Sequence, residues 1–171
     1  MYLLDANVLM TANNTYYPIH VVPEFWAWLA HQCATGHVKM PIEIFEEVKD
    51  GSTDTDRDQL YAWVHDTAHR RAIVLDEDVD LRLVQRVISE GYANDLTDNE
   101  VEQLGRDPFL IAYALASPHD RCVVTTEASK PRKQRQNRRI PDVCNSLGVR
   151  WIDTFSLVRE LRFSTGWQRQ R

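Results

Sequence analysis

Apolar positions along this chain fall into clusters of two different periods. Tyr2, Leu3 and Leu4 form an unbroken apolar run that stops at Asp5, and similar short runs occur over 38–40, 72–75, 122–125 and 149–152. Runs this short and continuous predict strands buried on both faces, as in a parallel sheet. Between them the apolar residues return every three or four positions. Phe25, Trp26, Leu29 and Ala30 predict a helix over 23–34, with Gly36 where a C-cap falls. A helix over 42–49 is closed by Gly51, Leu60, Trp63 and Val64 mark another, and 81–88 reads as one ending near Gly91. Thr97 and Glu100 have the spacing of a capping box, so a short helix starts there. Asp107 at the N-cap and Pro108 at the first helical position open the clearest helix, ahead of Phe109, Leu110, Ala112, Tyr113 and Ala116. Helices over 141–147 and 155–161 complete the pattern. Strands alternating with helices predict an α/β fold of three layers, α/β/α, around a central parallel sheet. Trp26 and Trp63, at helical apolar positions, belong to its core.

The length of 171 residues suits one domain, read as residues 1–162 with a polar tail over 163–171 that has no pattern to hold it in place. With 43% hydrophobic residues and only 6 Gly and 7 Pro, the chain is neither disordered nor of low complexity. No run approaches the roughly 18 apolar residues of a membrane span. The segment MYLLDANVLM has no basic region and carries Asp5 inside its apolar run, which argues against a signal peptide. The 3 cysteines are odd in number and far apart, so neither a disulfide framework nor a metal knuckle is expected, and a reducing cytoplasm is. The net charge of −5 conceals an asymmetry: residues 1–129 hold 9 Lys and Arg against 22 Asp and Glu, while 130–171 hold 11 against 3. Such polarity suggests a polyanion for the basic part and a cation for the acidic part.

Several familiar constellations fail. Asp54, Asp56 and Asp58 open like a calcium loop, but its Gly position is Gln59 and its closing Glu position is His65. His65 and His69 share a helix face without the glutamate of a zincin. No phosphate-binding glycine loop and no nucleophile elbow is present. An aspartyl-phosphate reading of Asp5 fails because the second Asp it needs is Asn7.

One constellation survives. In a doubly wound sheet, ligands bind beyond the carboxyl ends of the strands, where strand order reverses. Asp5 ends the first strand, Glu127 lies just past the 122–125 run, Asp107 stands at a helix start, and one of Glu46 and Glu47 faces inward. Carboxylates held together raise one another's pKa, and a divalent cation removes that cost. All-oxygen ligands favour Mg²⁺ or Mn²⁺, and a hard cation in an acidic cleft suits phosphodiester hydrolysis.

These segments resemble the PIN-domain nucleases, the superfamily that includes the VapC-type toxins. YLLDANVLM resembles their opening D-x-N segment, PIEIFEEVKDG the second, which favours Glu47 over Glu46, RDPFLIAYAL the third, and VVTTEAS the fourth, with Glu127 where an aspartate is usual. The resemblance runs over roughly residues 2 to 162. The stretch IPDVCNSLGVRWIDTFSLVREL and the tryptophan-rich helix are most similar to an uncharacterised PIN-like branch. It implies a PIN-like fold and Mg²⁺- or Mn²⁺-dependent hydrolysis of RNA, single-stranded or structured, by a toxin checked by an antitoxin protein. It implies Asp5, Glu47, Asp107 and Glu127 as the catalytic carboxylates, with Asp142 an alternative fourth metal ligand and Asn7 and Thr125 positioning substrate. A second copy of the chain is a further expected partner. The insertion SKPRKQRQNRR places Lys130, Arg132, Lys133, Arg135, Arg138 and Arg139 in one loop without an aromatic, which predicts a mobile RNA phosphate-binding segment. The competing readings are a non-catalytic nucleic-acid or protein binding module of the same fold and a DNA-directed nuclease.

Overall fold

The computed structural model describes residues 1–50 and 59–170. Four parallel strands, β1 (Tyr2–Leu4), β2 (Val38–Lys39), β3 (Cys122–Val124) and β4 (Arg150–Ile152), form one sheet in the order β2-β1-β3-β4. Helices pack on both faces, so the molecule is a three-layer α/β/α fold. β1 sits at the centre, with Leu3 opposite Lys39 on one side and Val123 on the other. The chain therefore leaves β1 towards β2 and returns across it to β3. Strand order reverses between β1 and β3, and the carboxyl ends of those two strands face the crevice.

The helices are α1 (Ala6–Thr11), α2 (Pro23–Ala34), α3 (Ile42–Asp50), α4 (Gln59–His65), α5 (Thr67–Ile73), α6 (Leu81–Arg86), α7 (Asp98–Gln103), α8 (Asp107–Leu115), α9 (Ile140–Leu147) and α10 (Thr154–Glu160). Wider turns over Ala12–Tyr16 and Val87–Tyr92 extend α1 and α6. The core lies between the helices and the sheet, where Leu3, Leu4, Val38, Val123 and Val124 meet Phe25, Trp28, Leu110 and Ile111. Trp26 and Trp63 are buried as expected, their rings edge to face at 5.2 Å. The capping box forms as read, Thr97 accepting from the Glu100 amide while Glu100 accepts from that of Thr97. Among the described residues, no helix is long and apolar enough to cross a membrane. All three cysteines are free and buried.

Three expectations are corrected. The run over 72–75 is not a strand: α5 extends to Ile73, and Val74 makes a single bridge to Met40. Asp66 starts that helix by accepting from the His69 amide, and Ala68, Arg70, Arg71 and Ala72 carry it past the point where two β-branched residues would begin a strand. Asp107 is not the N-cap of α8. That position is Arg106, and Asp107 is the first helical residue, because Gly105 at φ +57 turns the chain one residue earlier than a side-chain cap would. The tail is anchored: Phe163 packs on Phe25 and Trp28, and Trp167 stacks on His31 at 5.3 Å while donating to the Glu24 carbonyl. Gly51 and the Asp54, Asp56, Asp58 run lie outside the described residues.

Candidate active site

Asp5 follows β1 directly and is 3% exposed. It stands at the N-cap of α1 yet its side chain caps nothing. One carboxylate oxygen instead accepts from Thr125 Oγ1 at 2.7 Å, a bond that ties the ends of the two central strands together. Asn7 Nδ2 lies 3.5 Å from the same oxygen, a long contact on the exposed side of the turn. Thr125 Oγ1 also accepts from the Glu127 amide at 3.1 Å, so a single hydroxyl fixes Asp5 and aims the segment bearing Glu127.

The electrostatics join four carboxylates. Burial lifts Asp5 from an ordinary 3.8 to about 6; the Thr125 hydrogen bond works against this, and Glu47 and Glu127 add to it. Asp107 is pushed well above the usual range by desolvation and by the charges of Asp5, Glu127 and Glu47. Desolvation raises Glu47, with Arg106 opposing. As the first helical residue rather than the N-cap, Asp107 has no capping role that would commit its carboxylate to the helix start. A cleft of 420 Å³ bordered by Glu47, Gln103, Gly105, Arg106 and Asp107 opens beside it. Glu46, in contrast, pairs with Lys49 at 3.2 Å, which agrees with Glu47 as the inward-facing glutamate.

Glu127 is held from a third direction. Arg139 donates to one of its oxygens at 2.6 Å and the Ile140 amide at the start of α9 to the other at 2.9 Å. Arg139 also lowers Asp107, as Arg106 does Glu47, so the two arginines partly offset the charge of the group. Among the described residues no three His, Cys, Asp or Glu side chains are already gathered as a ligand group. The carboxylates are near enough to perturb one another without converging. Their all-oxygen chemistry suits a hard divalent cation.

Asp142 is not brought into this group. Its oxygens accept from Ser129 Oγ at 2.5 Å and the Lys130 amide at 2.8 Å, so it pins the start of the basic loop. The basic residues divide likewise. Arg135 spans Glu100, through Nε at 2.8 Å, and Asp95, through Nη1 at 2.7 Å. Arg138 donates to Ser146 Oγ and to the carbonyls of Asp142 and Gly91, and Arg139 holds Glu127. Lys130, Arg132 and Lys133 remain exposed and border a 600 Å³ hollow. The loop is thus fastened at several points rather than mobile, and half of its cations serve the fold.

Tyr92 escaped the sequence reading. Its hydroxyl is buried without a hydrogen-bond partner among the described residues, and the charges of Asp107 and Glu127 act on it. In the sequence it is only the apolar end of a helical pattern, and nothing local marks it. His65 and His69 serve packing: they stack on Tyr61 at 3.7 Å and Trp63 at 4.6 Å.

A family model described as a domain of unknown function, DUF4411, matches residues 2–165. The chain belongs to the DUF4411 family. No curated protein and no solved structure matches it. The DUF4411 match spans all four strands, Asp5, Glu47, Asp107 and Glu127, and the entire basic loop.

Proposed function

We propose that this DUF4411 protein is a Mg²⁺- or Mn²⁺-dependent endoribonuclease that hydrolyses phosphodiester bonds of RNA as the toxin of a toxin–antitoxin pair. The observation that carries the reading is the raised Asp5 and Asp107, both desolvated and both acted on by the charges of Glu47 and Glu127, at the reversal of strand order. Carboxylates kept desolvated beside one another carry a cost that their hydrogen bonds offset only in part, and cation binding is the chemistry that offsets the rest. The PIN-domain resemblance of the segments that bear these residues points the same way.

Asp5 and Asp107, with Glu47 and Glu127, would hold the cation, which when bound supplies neutralisation of phosphodiester charge and activation of water. Thr125 keeps the Asp5 carboxylate turned to the crevice. Arg139 and the α9 amide prevent Glu127 from swinging away, and so take up the extra methylene that a glutamate brings at this position. Lys130, Arg132 and Lys133 supply positive charge for the strand's phosphates.

The test is incubation of purified protein with labelled single-stranded RNA and DNA, with Mn²⁺ or with chelator. RNA cleavage that needs Mn²⁺ and disappears in Asp107→Asn is expected. Undiminished cleavage in both Asp5→Asn and Asp107→Asn refutes the carboxylate mechanism. Cleavage of DNA alone transfers the reading to a DNA-directed nuclease. The toxin role predicts growth arrest on expression of the wild type and tolerance of Asp107→Asn at equal protein level; equal growth removes it.

A further inference from the structure

A second cavity, of 380 Å³, lies beside the acidic group, its wall formed by Tyr16, Glu127, Ser129, Trp151, Thr154 and Phe155. Three features separate it from an ordinary surface hollow. Tyr16 and Phe155 are large rings left 45% and 43% exposed, and they meet edge to face at 5.0 Å, an arrangement that keeps both faces of one ring clear of the other. Thr154, 4% exposed, carries a buried hydroxyl with no hydrogen-bond partner among the described residues. Trp151 is fixed as a wall by its Nε1–H bond to Asn145 at 2.9 Å. The size falls in the range of about 300–1,000 Å³ typical of small-ligand sites.

The neighbours define the occupant. Glu127 belongs both to this cavity and to the carboxylate group, and Ser129 both to this cavity and to the hollow of Lys130, Arg132 and Lys133. The cavity therefore lies between the acidic centre and the unpaired cations of the loop. We propose that it is a base-recognition pocket, which takes one unpaired nucleobase of the RNA strand between its phosphates on the basic loop and the bond to be cut. The base stacks on Phe155 or Tyr16, and the Thr154 hydroxyl, donor and acceptor at once, reads its edge. This deepens the ribonuclease reading and rests on it for the nature of the strand.

The test needs no turnover. Homopentaribonucleotides of each of the four bases are titrated in chelator into the labelled full-length protein, and the Thr154 methyl and the Tyr16 and Phe155 ring resonances are followed by NMR. A pentamer of abasic ribose phosphate is the control. The base-bearing strands should shift these resonances, with one base preferred, and the abasic strand should not. Phe155→Ala should weaken binding about tenfold, and Thr154→Val should level the preference while the strand still binds. Equal shifts with the abasic pentamer, or none with any base, overturn the pocket. Occupation by an aromatic side chain of a protein partner, with RNA causing no shift, overturns it equally. A catalytically inert protein with base-selective shifts sustains the pocket and refutes the nuclease; active protein with silent resonances does the reverse.

Discussion

Replacing Asp5 by Asn should make the metal-free protein more stable. In the fold this carboxyl titrates at about 6, against 3.8 for an ordinary aspartate, chiefly because burial strips its water. A gap of about 2 pH units at about 1.36 kcal/mol each places about 3 kcal/mol of destabilisation on the ionised form. Asn has nearly the same shape and keeps an oxygen for the Thr125 hydroxyl, so it resembles the protonated acid that the fold prefers. The pH dependence follows from the sign. The folded state binds this proton more tightly than the unfolded chain, so wild-type stability is highest below the unfolded pKa, declines as pH rises from about 4 to about 6, and is flat above. At about 2–4 °C per kcal/mol for a chain of this size, the variant should melt about 6–12 °C higher at about pH 7.5 in chelator, and the difference should shrink towards zero by about pH 4. Scanning calorimetry across that range is the assay. Mn²⁺ should then raise the wild-type Tm and leave that of Asp5→Asn nearly unmoved. A variant no more stable at neutral pH, or an advantage that persists unchanged at acid pH, would refute the claim that Asp5 is held ionised at a cost.

Changing Lys130, Arg132 and Lys133 together to Gln should flatten the dependence of log K on log salt for a single-stranded RNA by about 2, at about −0.7 per phosphate contact; superimposable anisotropy titrations would dismiss the loop as a phosphate binder. Arg135→Gln should leave that slope unchanged and lower Tm, since its guanidinium is committed to Glu100 and Asp95; a flattened slope at constant Tm would reverse the assignment. Gly91→Ala should cost about 1–3 kcal/mol in urea unfolding, because the added Cβ would come 2.6 Å from Val143 Cγ1 and 3.2 Å from Leu147 Cδ1; an unchanged midpoint would show that α9 shifts freely.

What was legible in the sequence was what repeats locally. The apolar runs that became β1 and β3, the helical spacing of Phe25, Trp26 and Leu29, and the Thr97–Glu100 box all depend on neighbours within a few positions. The carboxylates could be named because strand ends and helix starts are themselves local features. What failed was partner choice. Arg135 is one cation among six when charges are counted along the loop, and its commitment to Glu100, 35 residues away, exists only in three dimensions. Asp142 was a candidate ligand until Ser129 and the Lys130 amide occupied it. The tail had no periodicity, yet one Phe and one Trp sufficed to dock it.

The central place of β1 has a consequence for synthesis. The hydroxyl that orients Asp5 lies 120 residues later in the chain, and β1 lacks one of its two neighbours until β3 has been translated. Contacts this distant in sequence close slowly and late. A growing or truncated chain therefore carries the first carboxylate of the cluster without the strand that positions it.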